Sequence, residues 1–160
     1  MASKYGGEPS PGRRHPTHGV RIDLAQPTIV FLTVCAKGRR PWLAQRRVEQ
    51  TLTRIWGNQA KAWLAGSYLI MPDHVHLFCA PHDLRFTLEK WIRFWKSCFS
   101  REHVAEPEWV WQDDHWDTRM RTQEHYSEKW IYVQENPVRK GLVARMEDWP
   151  FKGTVHPLPW

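Results

Sequence analysis

The chain has 160 residues, 41% hydrophobic and 25% charged, which suits one globular domain rather than two. Lysine and arginine number 23 against 17 acidic residues, and this net charge of +6 favours a polyanionic partner such as nucleic acid. No apolar run is long enough to span a bilayer, the first 20 residues lack the apolar stretch of a secretory signal, and no internal repeat is visible.

Residues 1–20 are rich in Gly, Pro, Ser and Arg without apolar periodicity, which predicts a flexible basic arm preceding one domain over 21–160. Arg13, Arg14 and His15 are the arm's candidates for touching phosphates. From Thr28 to Cys35, β-branched and aromatic residues occupy both alternating faces, the pattern of a doubly buried strand. Lys37-Gly38-Arg39-Arg40-Pro41 breaks it. Val48, Leu52, Ile55 and Trp56 then fall on one face of a helix, whose other face carries Arg46, Arg47, Glu49 and Arg54.

Trp63 to Met71 and His74 to Ala80 read as strands separated by Pro72-Asp73, which is hairpin spacing without the usual Asn-Gly chemistry. A second helix is predicted from about Thr87 to Arg101, with Leu88, Trp91, Ile92, Trp95 and Phe99 as its apolar stripe. Trp91 and Trp95 are therefore read as core. Trp109-Val110-Trp111 reads as a short strand, and a third helix as His125 to about Asn136, where Pro137 ends or kinks it. Gly141 is a plausible helix stop, and Trp149-Pro150-Phe151 resembles a turn. The order predicts an α+β, ferredoxin-like split βαβ fold, a mainly antiparallel sheet with helices packed on one face.

Two constellations carry possible chemistry. His74 and His76 alternate along a strand, so both imidazoles project from one face while Val75, Leu77 and Cys79 point to the core. Two adjacent imidazoles can ligate one divalent metal, or be hydrogen-bonded strand histidines; the motif alone leaves both open. Tyr132 and Asn136, at i and i+4, share a helix face. A carboxamide oxygen is a hard ligand and a phenol a nucleophile, although a packed tyrosine and a helix-capping asparagine are the ordinary reading. Tyr126 shares a core stripe with Trp130 and Val133, whereas Tyr132 faces away, so if either is a nucleophile it is Tyr132. There is no GxSxG elbow, phosphate-binding GxxxxGK[ST] loop, HExxH helix or zinc-finger spacing. Cys35, Cys79 and Cys98 sit in apolar surroundings and read as reduced core residues of a cytosolic protein.

Two blocks together carry a resemblance. Tyr68-Leu69-Ile70-Met71-Pro72-Asp73-His74-Val75-His76-Leu77-Phe78 resembles the HUH signature of single-tyrosine transposases, a His, a bulky apolar residue and a His. Residues 132–143 (YVQENPVRKGLV) resemble the tyrosine-bearing block of the REP-associated tyrosine transposases. Trp111-Gln112 and Trp116-Asp117 look like that family's aromatic-acidic linker, and the likeness runs from about Thr28 to Phe151.

The resemblance implies a metal-dependent endonuclease/transposase that cleaves and rejoins single-stranded or hairpin DNA through a 5′-phosphotyrosine intermediate. His74, His76 and Asn136 match the metal ligands, Tyr132 matches the nucleophile, and the metal would be Mg²⁺ or Mn²⁺. Arg39, Arg40, Lys90, Arg93, Lys96, Arg139 and Lys140 are the cations expected on phosphates. A cytoplasmic, nucleoid-associated monomer or homodimer is expected, with its site assembled within one chain or between two. Thr118 stands where the family typically has a histidine, and it is assigned no role. Glu128 and Lys129 lie one turn before Tyr132 and read as a surface salt-bridge pair. The alternatives are a domesticated DNA-binding protein of the same fold without productive transposition, and a histidine-metal hydrolase that uses water.

Overall fold

The computed structural model describes residues 27–160, so the expected arm over 1–20, with Arg13, Arg14 and His15, lies outside the described residues. Five strands form one sheet in the order β4-β1-β3-β2-β5, every neighbouring pair antiparallel. Strand β1 (Ile29–Ala36) is buried along its whole length and lies between β3 and β4, the position its two apolar faces predict. β2 (Trp63–Ile70) and β3 (His74–Pro81) form the expected hairpin.

The helices divide the sheet into two environments. α1 (Arg46–Asn58) and α2 (Leu88–Glu102) cover one face. There Val48, Leu52, Ile55 and Trp56 meet Trp91, Ile92, Trp95 and Phe99 over Val30, Leu32, Val75 and Leu77. The Thr87 side chain caps α2 by accepting from the Lys90 backbone N–H at 3.2 Å. Most tryptophans serve this packing. Trp42, Trp56, Trp63, Trp91, Trp95 and Trp111 are buried in it, whereas Trp149 is buried on the opposite face.

The α+β class and antiparallel sheet are as expected, but one-face helix packing holds only for α1 and α2. α3 (Gln123–Gln134) lies across the opposite face, where Val133, Tyr126 and Trp130 pack with Phe31, Leu69 and Phe78. The cause is that β1 is apolar on both faces and that Leu69 and Phe78 add to its second one, so that face also needs a cover. α3 breaks after Gln134, and a short helix α4 (Asn136–Arg139) follows with Pro137 in its first turn.

The expected short strand at Trp109–Trp111 is instead the ten-residue edge strand β4 (Trp111–Met120), paired to β1. Its sequence, WQDDHWDTRM, is too polar to announce a strand; the pairing comes from the free edge of β1. β5 (Lys152–Thr154) extends the other edge at Ser67, Tyr68 and Leu69. Cys35, Cys79 and Cys98 are buried and form no disulfide.

Candidate active site

Register places the site before any side chain is considered. Cys35 lies opposite His74, and Thr33 opposite His76, so these four residues share the sheet face that α3 covers. His74 is 1% exposed. Its Nδ1 donates to the Asp73 carboxylate at 2.7 Å, which turns the Nε2 lone pair into the site. Arg39 binds the other Asp73 oxygen at 2.9 Å. Burial opposes ionisation of Asp73, yet His74 and Arg39 together hold its carboxyl down at about 2. The Thr33 hydroxyl, 3.0 Å from Nδ1, fixes the His76 ring in the same sense.

The two Nε2 atoms face each other at 3.0 Å, with the rings nearly perpendicular. Asn136, 7% exposed, reaches both: its carboxamide nitrogen donates to Nε2 of His74 at 3.4 Å and of His76 at 3.3 Å. A half-turn of the carboxamide puts its oxygen there instead. Burial, followed by the positive charges around it, pushes the His76 pKa well down, so this ring is neutral near pH 7. Two imidazole nitrogens and a carboxamide thus converge, all in one chain. Adjacent ligands on an ion held at about 2.1 Å lie roughly 3.0–3.4 Å apart, so the donor set fits a small divalent cation. Among the described residues no cluster of three His, Cys, Asp or Glu offers a competing site.

Tyr132 lies one turn before Asn136, and Glu135 between them keeps helical angles (φ −78°, ψ −11°). The Arg139 guanidinium covers the Tyr132 ring at 4.0 Å and donates to the Tyr132 backbone carbonyl at 2.8 Å. Among the described residues the Tyr132 hydroxyl makes no hydrogen bond.

Several side chains depart from their expected roles. Lys129 is not at the surface: it is 9% exposed, its ammonium lying 4.7 Å from the Phe31 ring centroid and 5.6 Å from that of Tyr132. Glu128 is exposed, as expected. Lys96 donates to the backbone carbonyl of Gln112 at 2.7 Å and so ties α2 to β4 rather than facing outward. Arg93 pairs with Glu89, and α2 lies across the sheet from the histidines. Arg39 and Arg139 are brought to the site, while Lys90, Arg93 and Lys96 are not. Arg40 and Lys140 are exposed. Thr118, opposite Phe31 on β4, is exposed as well.

Asp73 and Thr33 were missed by sequence reasoning. Asp73 had one available signal, its place directly before His74. Thr33 had none, because its approach depends on strand register.

No family model matches the chain. It is 25% identical over 128 residues to a REP-associated tyrosine transposase of Escherichia coli (strain K12), across 79% of this chain and 75% of that protein. It is also 25% identical over 112 residues to a protein of Haemophilus influenzae named as a candidate REP-associated tyrosine transposase, across 57% of this chain and 62% of the relative. The fold matches the solved structure of a REP-associated tyrosine transposase bound to a REP hairpin, with a TM-score of 0.65 and 22% identity, across 84% of this chain and 81% of that one. The chain is similar in sequence to REP-associated tyrosine transposases and shares the fold of one of them. No described helix is long and apolar enough to cross a membrane.

Proposed function

We propose that this chain cleaves and rejoins single-stranded, hairpin-bearing DNA, with Tyr132 as nucleophile. The observation that carries the reading is the convergence of Asn136 on His74 and His76 within one chain, one helical turn after a tyrosine. The solved relative is bound to a REP hairpin, and the surplus of +6 suits the same class of ligand.

In the reaction the Tyr132 phenol gives up its proton to solvent and its oxygen bonds to the scissile phosphorus. The bond from phosphorus to the 3′-oxygen breaks, and that oxygen takes up a proton. The products are a 5′-phosphotyrosine and a free 3′-hydroxyl. Attack by a 3′-hydroxyl reverses the step, and because one phosphodiester replaces another, no nucleotide hydrolysis is required. Asp73 and Thr33 orient the two imidazoles, and Asn136 completes the donor set. When bound there, Mg²⁺ or Mn²⁺ supplies positive charge at the nonbridging phosphate oxygens. Arg139 holds the Tyr132 ring and backbone and restricts where the phenol can point.

The test incubates the protein with Mn²⁺ or Mg²⁺ and labelled single-stranded DNA carrying a hairpin. A denaturant-resistant protein–DNA adduct is expected from wild type and none from Tyr132→Phe. Cleavage without any adduct would replace tyrosine with water as the nucleophile.

A further inference from the structure

Lys129 is a buried cation that neither the ligand set nor the nucleophile uses. It is 9% exposed, and among the described residues it has neither a hydrogen bond nor an ion pair. An ammonium taken out of water without a carboxylate partner is costly, and the faces of Phe31 and Tyr132 return only part of that cost. Burial accordingly depresses its pKa. Such a group is rarely retained for stability alone.

Its surroundings indicate what it awaits. The Phe31 ring, 4.7 Å from Nζ, is itself stacked on the His76 imidazole with centroids 5.2 Å apart. The Tyr132 ring centroid lies 5.6 Å from the same ammonium. Lys129 therefore touches both the ring that supports a histidine and the ring that carries the phenol. An anion bridging the histidine pair and the Tyr132 hydroxyl would sit beside it.

We propose that Lys129 binds the scissile phosphodiester, contacting a nonbridging oxygen as Tyr132 attacks and the same oxygen in the phosphotyrosine. This rests on the reading of Tyr132 as nucleophile. The ammonium is a fixed charge in a largely dry position, where it acts on charge developing in the transition state without reorganising. The ion pair is completed by substrate, so the buried charge is compensated when the phosphate arrives.

The experiment compares wild type, Lys129→Met, Lys129→Arg and Tyr132→Phe with Mn²⁺ and the labelled hairpin strand. It measures single-turnover adduct formation, hairpin affinity and the melting temperature without DNA. Lys129→Met is expected to slow adduct formation by about 100-fold. Its hairpin affinity should change by less than about threefold, because one phosphate contact among many is lost. Its melting temperature should stay level or rise, and Lys129→Arg should recover part of the rate. Adduct formation within about threefold of wild type in Lys129→Met overturns the proposal. So does a melting temperature lower by about 5 °C or more, which makes Lys129 a packing residue. Wild type without adduct overturns the nucleophile reading and this proposal together, whereas wild type with adduct and an active Lys129→Met overturns this proposal alone.

Discussion

His74 shows how much of the proposed site's geometry is set by neighbours outside the proposed ligand set. Its ring nitrogen is committed to Asp73 at 2.7 Å, and Asp73 is in turn held by Arg39. Each link fixes the orientation of the next, so the Nε2 lone pair faces His76 and Asn136 without a search among rotamers. Asp73→Asn keeps the shape but removes the charge that secures the His74 tautomer. It is expected to weaken Mn²⁺ binding by about 10- to 100-fold, read as the Mn²⁺ concentration giving half-maximal adduct formation or by calorimetry. An unchanged Mn²⁺ requirement would show that Asp73 does not orient the ligand. Arg39, which the sequence suggests as a phosphate contact, binds Asp73 instead. The sequence made His74, His76, Tyr132 and Asn136 legible as candidates because their spacings, two in a strand and four in a helix, are local geometry. Thr33 and the burial of Lys129 depend on which segments pack together, and local spacing says nothing about that.

At the scale of elements, α2 and β4 are joined by a lysine. The Lys96 ammonium reaches into the start of β4 and donates to the Gln112 carbonyl. Burial lowers its pKa from 10.5 to about 8. Near pH 7 the folded and unfolded chains are both protonated here, and the folded state carries the cost of the buried charge. Between about pH 8 and 10.5 the unfolded chain binds more protons, so stability rises with pH, by up to about 1.4 kcal/mol per unit. Thermal melts at about pH 7.5 and 9.5 should show wild type gaining on Lys96→Met across that window. Parallel trends would place the ammonium in solvent. In the sequence β4 is legible only as a short strand. Its ten residues include three aspartates and an arginine, and the element exists because β1 offers an unpaired edge. α3 was legible in position, but its place on the second face was not. Its stripe of Tyr126, Trp130 and Val133 identifies what is buried without saying against which side of the sheet.

Across the whole molecule the sheet acts as a partition. One face is sealed by α1, α2 and their tryptophans, and the other carries the histidines beneath the end of α3. Cations on α2 are therefore remote from the proposed chemistry, although in sequence they look no different from Arg139. Replacing Lys90 and Arg93 together by alanine is expected to leave hairpin affinity within about twofold and the salt slope unchanged. A slope reduced by about two, measured by titration across a salt series, would put DNA on the α2 face.

The sequence by itself determined the strands β1 to β3, the helices α1 to α3, the charge surplus and the four residues whose spacings align their side chains. Those features follow from periodicity, which a chain carries without its fold. Only the tertiary structure decided that Asn136 meets His74 and His76 in the same chain, that Asp73 and Thr33 orient the imidazoles, and that Lys129 is buried beside Tyr132 rather than in solvent. These are contacts between distant segments, fixed by strand register and by the face on which α3 docks. The free energy that selects that face is summed over the whole buried surface, so no short stretch of sequence displays it.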